Sequence, residues 1–96
     1  MHLVTPGAKF PLGRVVITGG AMTALVRNLD AVGYYLERHA RGDWGDIPRE
    51  DAEENDLSLT DGCRILSAYI LEDSTRIWVI TEGDRSTTTV MLPHEY

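Results

Sequence analysis

The sequence has one cysteine and one phenylalanine in 96 residues, and Lys9 is its only lysine. Each scarcity excludes something. Cys63 has no partner within the chain, so no disulfide framework staples the fold. No apolar run approaches the roughly 18 to 20 residues that a bilayer span requires. The start, Met1-His2-Leu3-Val4-Thr5-Pro6-Gly7, carries neither the basic cluster nor the apolar segment of a secretion signal, so a cytoplasmic, reduced setting is expected. Clustered cations are also missing, with Arg38 and Arg41 the only close pair, so direct nucleic-acid binding through a basic stripe is not expected.

What is present describes one domain. A chain of this size buries roughly 60 to 70% of its unfolded surface, enough for a single core and too little for two. Residues 1–11 hold two prolines and a glycine without periodicity and read as an extended arm; residues 12–96 read as the domain. The formal charge of -6 is unevenly placed. Asp43, Asp46, Glu50, Asp51, Glu53, Glu54, Asp56 and Asp61 face a single base, Arg49, giving that stretch -7 and leaving the rest near +1. The other bases are almost all arginines, whose planar forks suit fixed pairing with carboxylates, so some of these acids are open to internal clamping.

Local patterns give the elements. Arg14–Thr18 is a short β-branched strand, and Thr18 is the expected N-cap of a helix over about 20–28 with Ala21, Leu25 and Leu29 on one face. Asp30 is the expected N-cap of a second helix to about Arg41, with Val32, Tyr35, Leu36 and His39 at core spacing and Gly42 as its stop. Pro48 opens a third helix to about Thr60, acidic and thin in apolar residues, which belongs on the outside. Residues 63–71, 76–82 and 86–92 are strands joined by short turns. The expected fold is α+β, with two to three helices packed on one face of an antiparallel sheet of three to four strands. A symmetrical first hairpin pairs Ile70 with Ile77, Ala68 with Val79 and Leu66 with Thr81 on the core side. It puts Tyr69 and Trp78 together on the other side with Ile65 and Ile80, too apolar a face to stand in water. The arm (Leu3, Val4, Phe10), a second copy or a partner is expected to cover it.

Several clusters invite chemistry. Asp43, Asp46, Glu50 and Asp51 lack the calcium-loop spacing, and no metal or other cofactor is expected. His39 lies four residues before Asp43, an arrangement in which a carboxylate orients an imidazole as general base, although a satisfied helix-end histidine explains it more simply. Glu82, Asp84 and Arg85 sit within one turn and form an alternative polar site for a small enzyme or ligand-binding module; turn-making is the simpler and preferred account of them. Cys63 reads as a small, mostly buried thiol. The helical row of acids, Asp46, Glu50, Asp51, Glu53, Glu54 and Asp61, approximates a line of phosphates and can attract a basic groove on another protein.

Arg41-Gly42-Asp43-Trp44-Gly45-Asp46, Ile80-Thr81-Glu82-Gly83-Asp84-Arg85-Ser86 and Leu92-Pro93-His94-Glu95-Tyr96 resemble motifs of a family of short bacterial proteins associated with plasmids and mobile elements. The likeness spans roughly residues 12–96 and brings no catalytic role. It implies interference with host defence or a part in plasmid and phage maintenance. The expected function is therefore a non-enzymatic, acidic interaction module that inhibits a nucleic-acid-handling complex, such as CRISPR or restriction machinery. It would meet a protein partner with a basic surface through the acidic row, Tyr69 and Trp78. A homodimer in which Trp78 and Tyr69 meet across a two-fold axis is a further reading.

Overall fold

The computed structural model describes residues 6–96. Leu3 and Val4, expected to help cover the sheet, lie outside the described residues. The elements run β1 (Arg14–Ile17), α1 (Gly19–Arg27), α2 (Val32–Ala40), α3 (Arg49–Asp61), β2 (Ile65–Ile70), β3 (Arg76–Thr81) and β4 (Thr87–Met91), followed by a 3-10 turn, Pro93–Glu95. The strands form one sheet in the order β1-β4-β3-β2. The α+β class holds, but the sheet is mixed: β2, β3 and β4 are antiparallel, whereas β1 lies parallel to β4. Parallel neighbours need a long crossover, and here all three helices and the first hairpin lie between the two strands.

Alternation along the strands turns Val15, Ile17, Ile65, Tyr69, Ile77, Val79 and Val90 toward α1 and α2. They meet Ala21, Ala24 and Leu25 from α1 and Tyr35, Leu36 and Ala40 from α2. At roughly 1.5–3 kcal/mol for each large apolar side chain removed from water, this layer supplies the main drive to fold. The arm joins it: Phe10 and Leu12 are buried, and Phe10 stacks on Trp44 at 6.2 Å between ring centroids. Phe10 thus belongs to the helix-covered face, opposite the face it was expected to cover.

The first hairpin departs from the expected register by one residue. Ile70 pairs with Arg76, Ala68 with Trp78 and Tyr69 with Ile77. The cause is the loop. Leu71 and Thr75 close it through Leu71 N–H to Thr75 O at 2.8 Å, and Ser74 adopts a left-handed φ of 72°, so the loop holds Glu72, Asp73 and Ser74 in place of a symmetrical four-residue turn. A one-residue slip moves cross-strand partners to opposite faces. Tyr69 is therefore in the core with Ile77 and Val79, while Trp78 looks out from the other face beside Leu66, Ala68 and Ile80. Ile70 and Leu66, expected inside, stand on that open face, Ile70 half exposed.

Asp30 does not cap α2; its N-cap is Ala31, with no side-chain bond. Asp30 instead completes the end of α1, donating its N–H to Leu25 O at 2.9 Å while Leu29 N–H reaches Val26 O at 3.0 Å. That pair of bonds requires a left-handed residue at position 29, and Leu29 has φ 54° and is 95% exposed, not on the helix's inner face. Leu29→Gly is expected to raise stability by about 1 kcal/mol, because glycine adopts this φ without strain. Urea unfolding of the two proteins measures it, and an unchanged or lower midpoint contradicts the strain argument.

Candidate functional site: a groove between the acidic helix and the open sheet face

The sheet edge at β2 is closed by its own chain. Ala68 N–H donates to Trp44 O at 3.1 Å and Asp46 N–H to Ala68 O at 2.7 Å, so Gly45 runs beside Ala68 as a one-residue extra strand. One turn along, the Asn55 amide imitates a further strand: its Nδ2 donates to Leu66 O at 2.8 Å and its Oδ1 accepts from Leu66 N–H at 3.2 Å. These bonds consume an edge that would otherwise template aggregation, and they anchor α3 beside β2. Arg85 pins the far end of α3, donating to Ser58 O at 2.6 Å and Cys63 O at 2.7 Å. Trp44 Nε1 donates to Asp56 at 3.0 Å. Ala52 and Leu59 face the core, which leaves the row Asp51, Glu54, Asp61 overhanging the open face.

A groove of about 540 Å³ results, lined by Asp51, Glu54, Leu57, Asp61, Arg64 and Leu66 among others. Leu57 is 64% exposed, an apolar residue set among acids. The open sheet face beyond Leu66 carries Trp78, which meets the Tyr96 ring edge-on at 5.8 Å. Arg64 lies over that ring at 5.2 Å and donates to the Tyr96 hydroxyl. The C-terminal Tyr96 thus shields part of the face expected to need covering, at Trp78, and Ala68 and Ile80 on that face are buried.

The acids divide into two groups. Arg38 grips Asp43 at 2.7 Å, which holds that carboxyl below the ordinary aspartate range, and Arg76 grips Asp46 at 2.7 Å. Arg49 meets Glu53 at 3.3 Å along the helix. Among the described residues, Glu50, Asp51, Glu54 and Asp61 enter no ion pair. Asp46 and Glu53, paired internally, and the buried Tyr69 accordingly leave the expected contact set. Tyr69 is buried, donates its hydroxyl to Asp43 O at 2.6 Å and has its pKa raised by desolvation. With Tyr69 inside, the dimer through Tyr69 and Trp78 has no common surface to use.

His39 and Asp43 are not brought together as base and orienting acid. His39 is fully buried, with Nδ1 2.6 Å from Ser67 Oγ and Nε2 2.9 Å from Thr81 Oγ1. The chain of bonds beyond it fixes the proton positions. Thr88 donates to Leu12 O at 2.7 Å, so it must accept from Thr81, 2.7 Å away, and Thr81 must accept from His39. Nε2 therefore carries the proton, and bare Nδ1 accepts from Ser67. Burial first, and then the nearby Arg85 cation, depress the His39 pKa to about 3. A serine hydroxyl on an imidazole suggests a nucleophile, but neither Ser67 nor His39 reaches solvent, and the network satisfies the core's polar groups.

Glu82, Asp84 and Arg85 do not converge either. Asp84 accepts from Ser86 N–H at 2.9 Å, shaping the turn, and Arg85 turns inward to backbone carbonyls. Cys63 is exposed, not buried, because the Gly62 turn carries it past the end of α3. Among the described residues no group of three or more His, Cys, Asp or Glu side chains is placed to hold a metal ion. Sequence reasoning missed Asn55, Arg64, Leu57 and Tyr96. An amide in a run of acids and an apolar residue with no helical stripe were the available signals for Asn55 and Leu57; nothing local marks Arg64 or Tyr96. No family model, curated protein or solved structure matches the chain.

Proposed function

We propose that this chain is a non-enzymatic interaction module that receives a basic, apolar-bearing segment of a protein partner in the groove between α3 and the open sheet face. One observation carries the reading: Asp51, Glu54 and Asp61 line a concavity with Leu66 and the exposed Leu57, free of ion pairs among the described residues. Arg64 also lines the groove but pairs with none of these acids among the described residues; three carboxylates against one guanidinium leave a net negative field, which steers a cationic partner, and apolar lining holds it once it has arrived. The motif likeness to mobile-element proteins extends the proposal to a nucleic-acid-handling or defence complex, whose basic channel would meet carboxylates in place of phosphates.

The test compares two reversals in full-length protein used as bait in its native host. Asp51→Lys with Glu54→Lys inverts the groove wall; Glu50→Lys with Glu53→Lys inverts the outer side of the same helix with equal charge change. The proposal expects a captured protein that elutes with salt and whose affinity falls about tenfold or more with the first pair, and much less with the second. Equal capture by both variants, or recovery of nucleic acid without protein, overturns it.

A further inference from the structure

β1 is the sheet's other edge, and among the described residues nothing pairs with its outer side. Its pairing with β4 uses the backbone of Arg14, Val16 and Thr18: Arg14 N–H donates to Ser86 O at 2.9 Å and Thr18 N–H to Val90 O at 3.0 Å, with Val16 between them in the same ladder. Alternation then turns the N–H and C=O groups of Val15 and Ile17 away from β4, where no strand lies among the described residues. The contrast with β2, closed by Gly45 and Asn55, singles out this edge as a template for an added strand.

We propose that a second copy of this chain pairs antiparallel along β1, about a two-fold axis through Val16. In that register Val15 exchanges backbone hydrogen bonds with Ile17 of the second copy, Ile17 does so with its Val15, and the partly exposed Val16 side chains meet on the axis. Arg14 falls opposite Thr18 of the second copy. This carries the charge argument, because the Thr18 hydroxyl donates to Glu95 at 2.6 Å and holds that carboxylate beside the strand. Arg14 and Glu95 are both exposed, and neither enters an ion pair among the described residues. The two-fold operation brings each Arg14 to the Glu95 of the other copy, so one self-complementary strand supplies backbone pairing, an apolar centre and opposite charges at both ends. The axis stands normal to the sheet, so both open faces lie on the same side, each with its α3 groove at the outer end. A partner with two basic segments would engage the pair with the gain of linked binding.

Sedimentation from low micromolar to the highest attainable concentration reads the dimer, and reciprocal charge reversal identifies its surface. Arg14→Glu and Glu95→Arg are each expected to raise the dimer dissociation constant about tenfold or more, since each sets like charges together twice. Mixing the two variants restores both pairs as opposite charges and is expected to recover a heterodimer, which also shows that both variants are folded. Should Glu95→Arg not fold, amide exchange in the native protein decides the matter through Val15 and Ile17. Exchange at those amides that slows as concentration rises supports the pairing. A native protein that stays monomeric throughout, a dimer indifferent to Arg14→Glu, or concentration-independent exchange at both amides overturns it.

Discussion

Below pH 6.5, and above the range in which carboxylates take up protons, the native protein is expected to lose about 1 kcal/mol of stability for each pH unit, and His39→Gln is expected to lose almost none. The sign follows from where the proton binds. In the unfolded chain His39 takes a proton near pH 6.5, whereas in the fold its pKa is lowered to about 3. Between those values the unfolded state binds the extra proton, so acid favours unfolding, and the stability is fully present only above pH 6.5. Desolvation is the main cause, since the imidazole is sealed beneath α2. Arg85 is the second, its guanidinium 5.6 Å from the centre of the Phe10 ring, which in turn lies edge-on to His39 at 5.2 Å. Protonating Nδ1 would also replace its acceptor role with a second donor and break the direction of the Ser67-His39-Thr81-Thr88 chain. Glutamine offers one acceptor and one donor group and can keep both bonds without the charge, so it isolates the titration from the packing. Urea unfolding at several pH values measures the two slopes; parallel slopes would show that His39 is not the sensitive group. Asp43 and Glu95, whose pKa values are lowered by the bonds from Arg38 and Thr18, add their own losses only further into acid.

The same imidazole shows what the sequence could and could not reveal. Helical spacing with Tyr35 and Leu36 is enough to place His39 on the inner face of α2, because position on a helix depends on local geometry alone. Its partners Ser67 and Thr81 come from β2 and β3, far away in the chain, and no local pattern identifies them. The three helices, the strand series and the outward acids of α3 were legible for the same reason. Tyr69 and Trp78 were not, because the face each one occupies depends on a loop one residue shorter than its polar sequence implied. Ser74 takes the left-handed conformation there without the glycine that usually announces it. The groove itself was half legible: Asp51, Glu54 and Asp61 were visible as a charged row, but Leu66 and Arg64 join them only through the observed strand register and the anchoring of α3 by Asn55. In the sequence the Asp43-Trp44-Gly45-Asp46 segment shows only acids without calcium-loop spacing. It works as the strap that closes the β2 edge, a long-range role that no spacing reveals.

That strap makes Gly45→Ala a severe substitution, with an expected loss of about 3 kcal/mol or more. Gly45 has φ 75°, and a Cβ added there would lie 2.0 Å from Ala68 O and 2.7 Å from the Tyr69 ring. The first obstacle is backbone in the neighbouring strand, and the second is a side chain fixed by its bond to Asp43 O, so neither can yield cheaply. Relief requires the strap to lift from β2, and Ala68 N–H and C=O then lose Trp44 and Asp46 together. Unpaired groups on an otherwise intact edge also attract other strands, so the variant is expected to aggregate at concentrations where the native protein does not. Gly33→Ala supplies the matched control: Gly33 lies within α2, nothing stands within 4 Å of its added Cβ, and alanine is the better helix former by about 1 kcal/mol. Urea unfolding of both variants should move in opposite directions from the native midpoint. If Gly45→Ala unfolded within about 1 kcal/mol of the native protein, the strap would be an accessory to the edge and not its closure. The position of α3, and with it the acidic wall of the groove, would then have to rest on Asn55 and Arg85 alone.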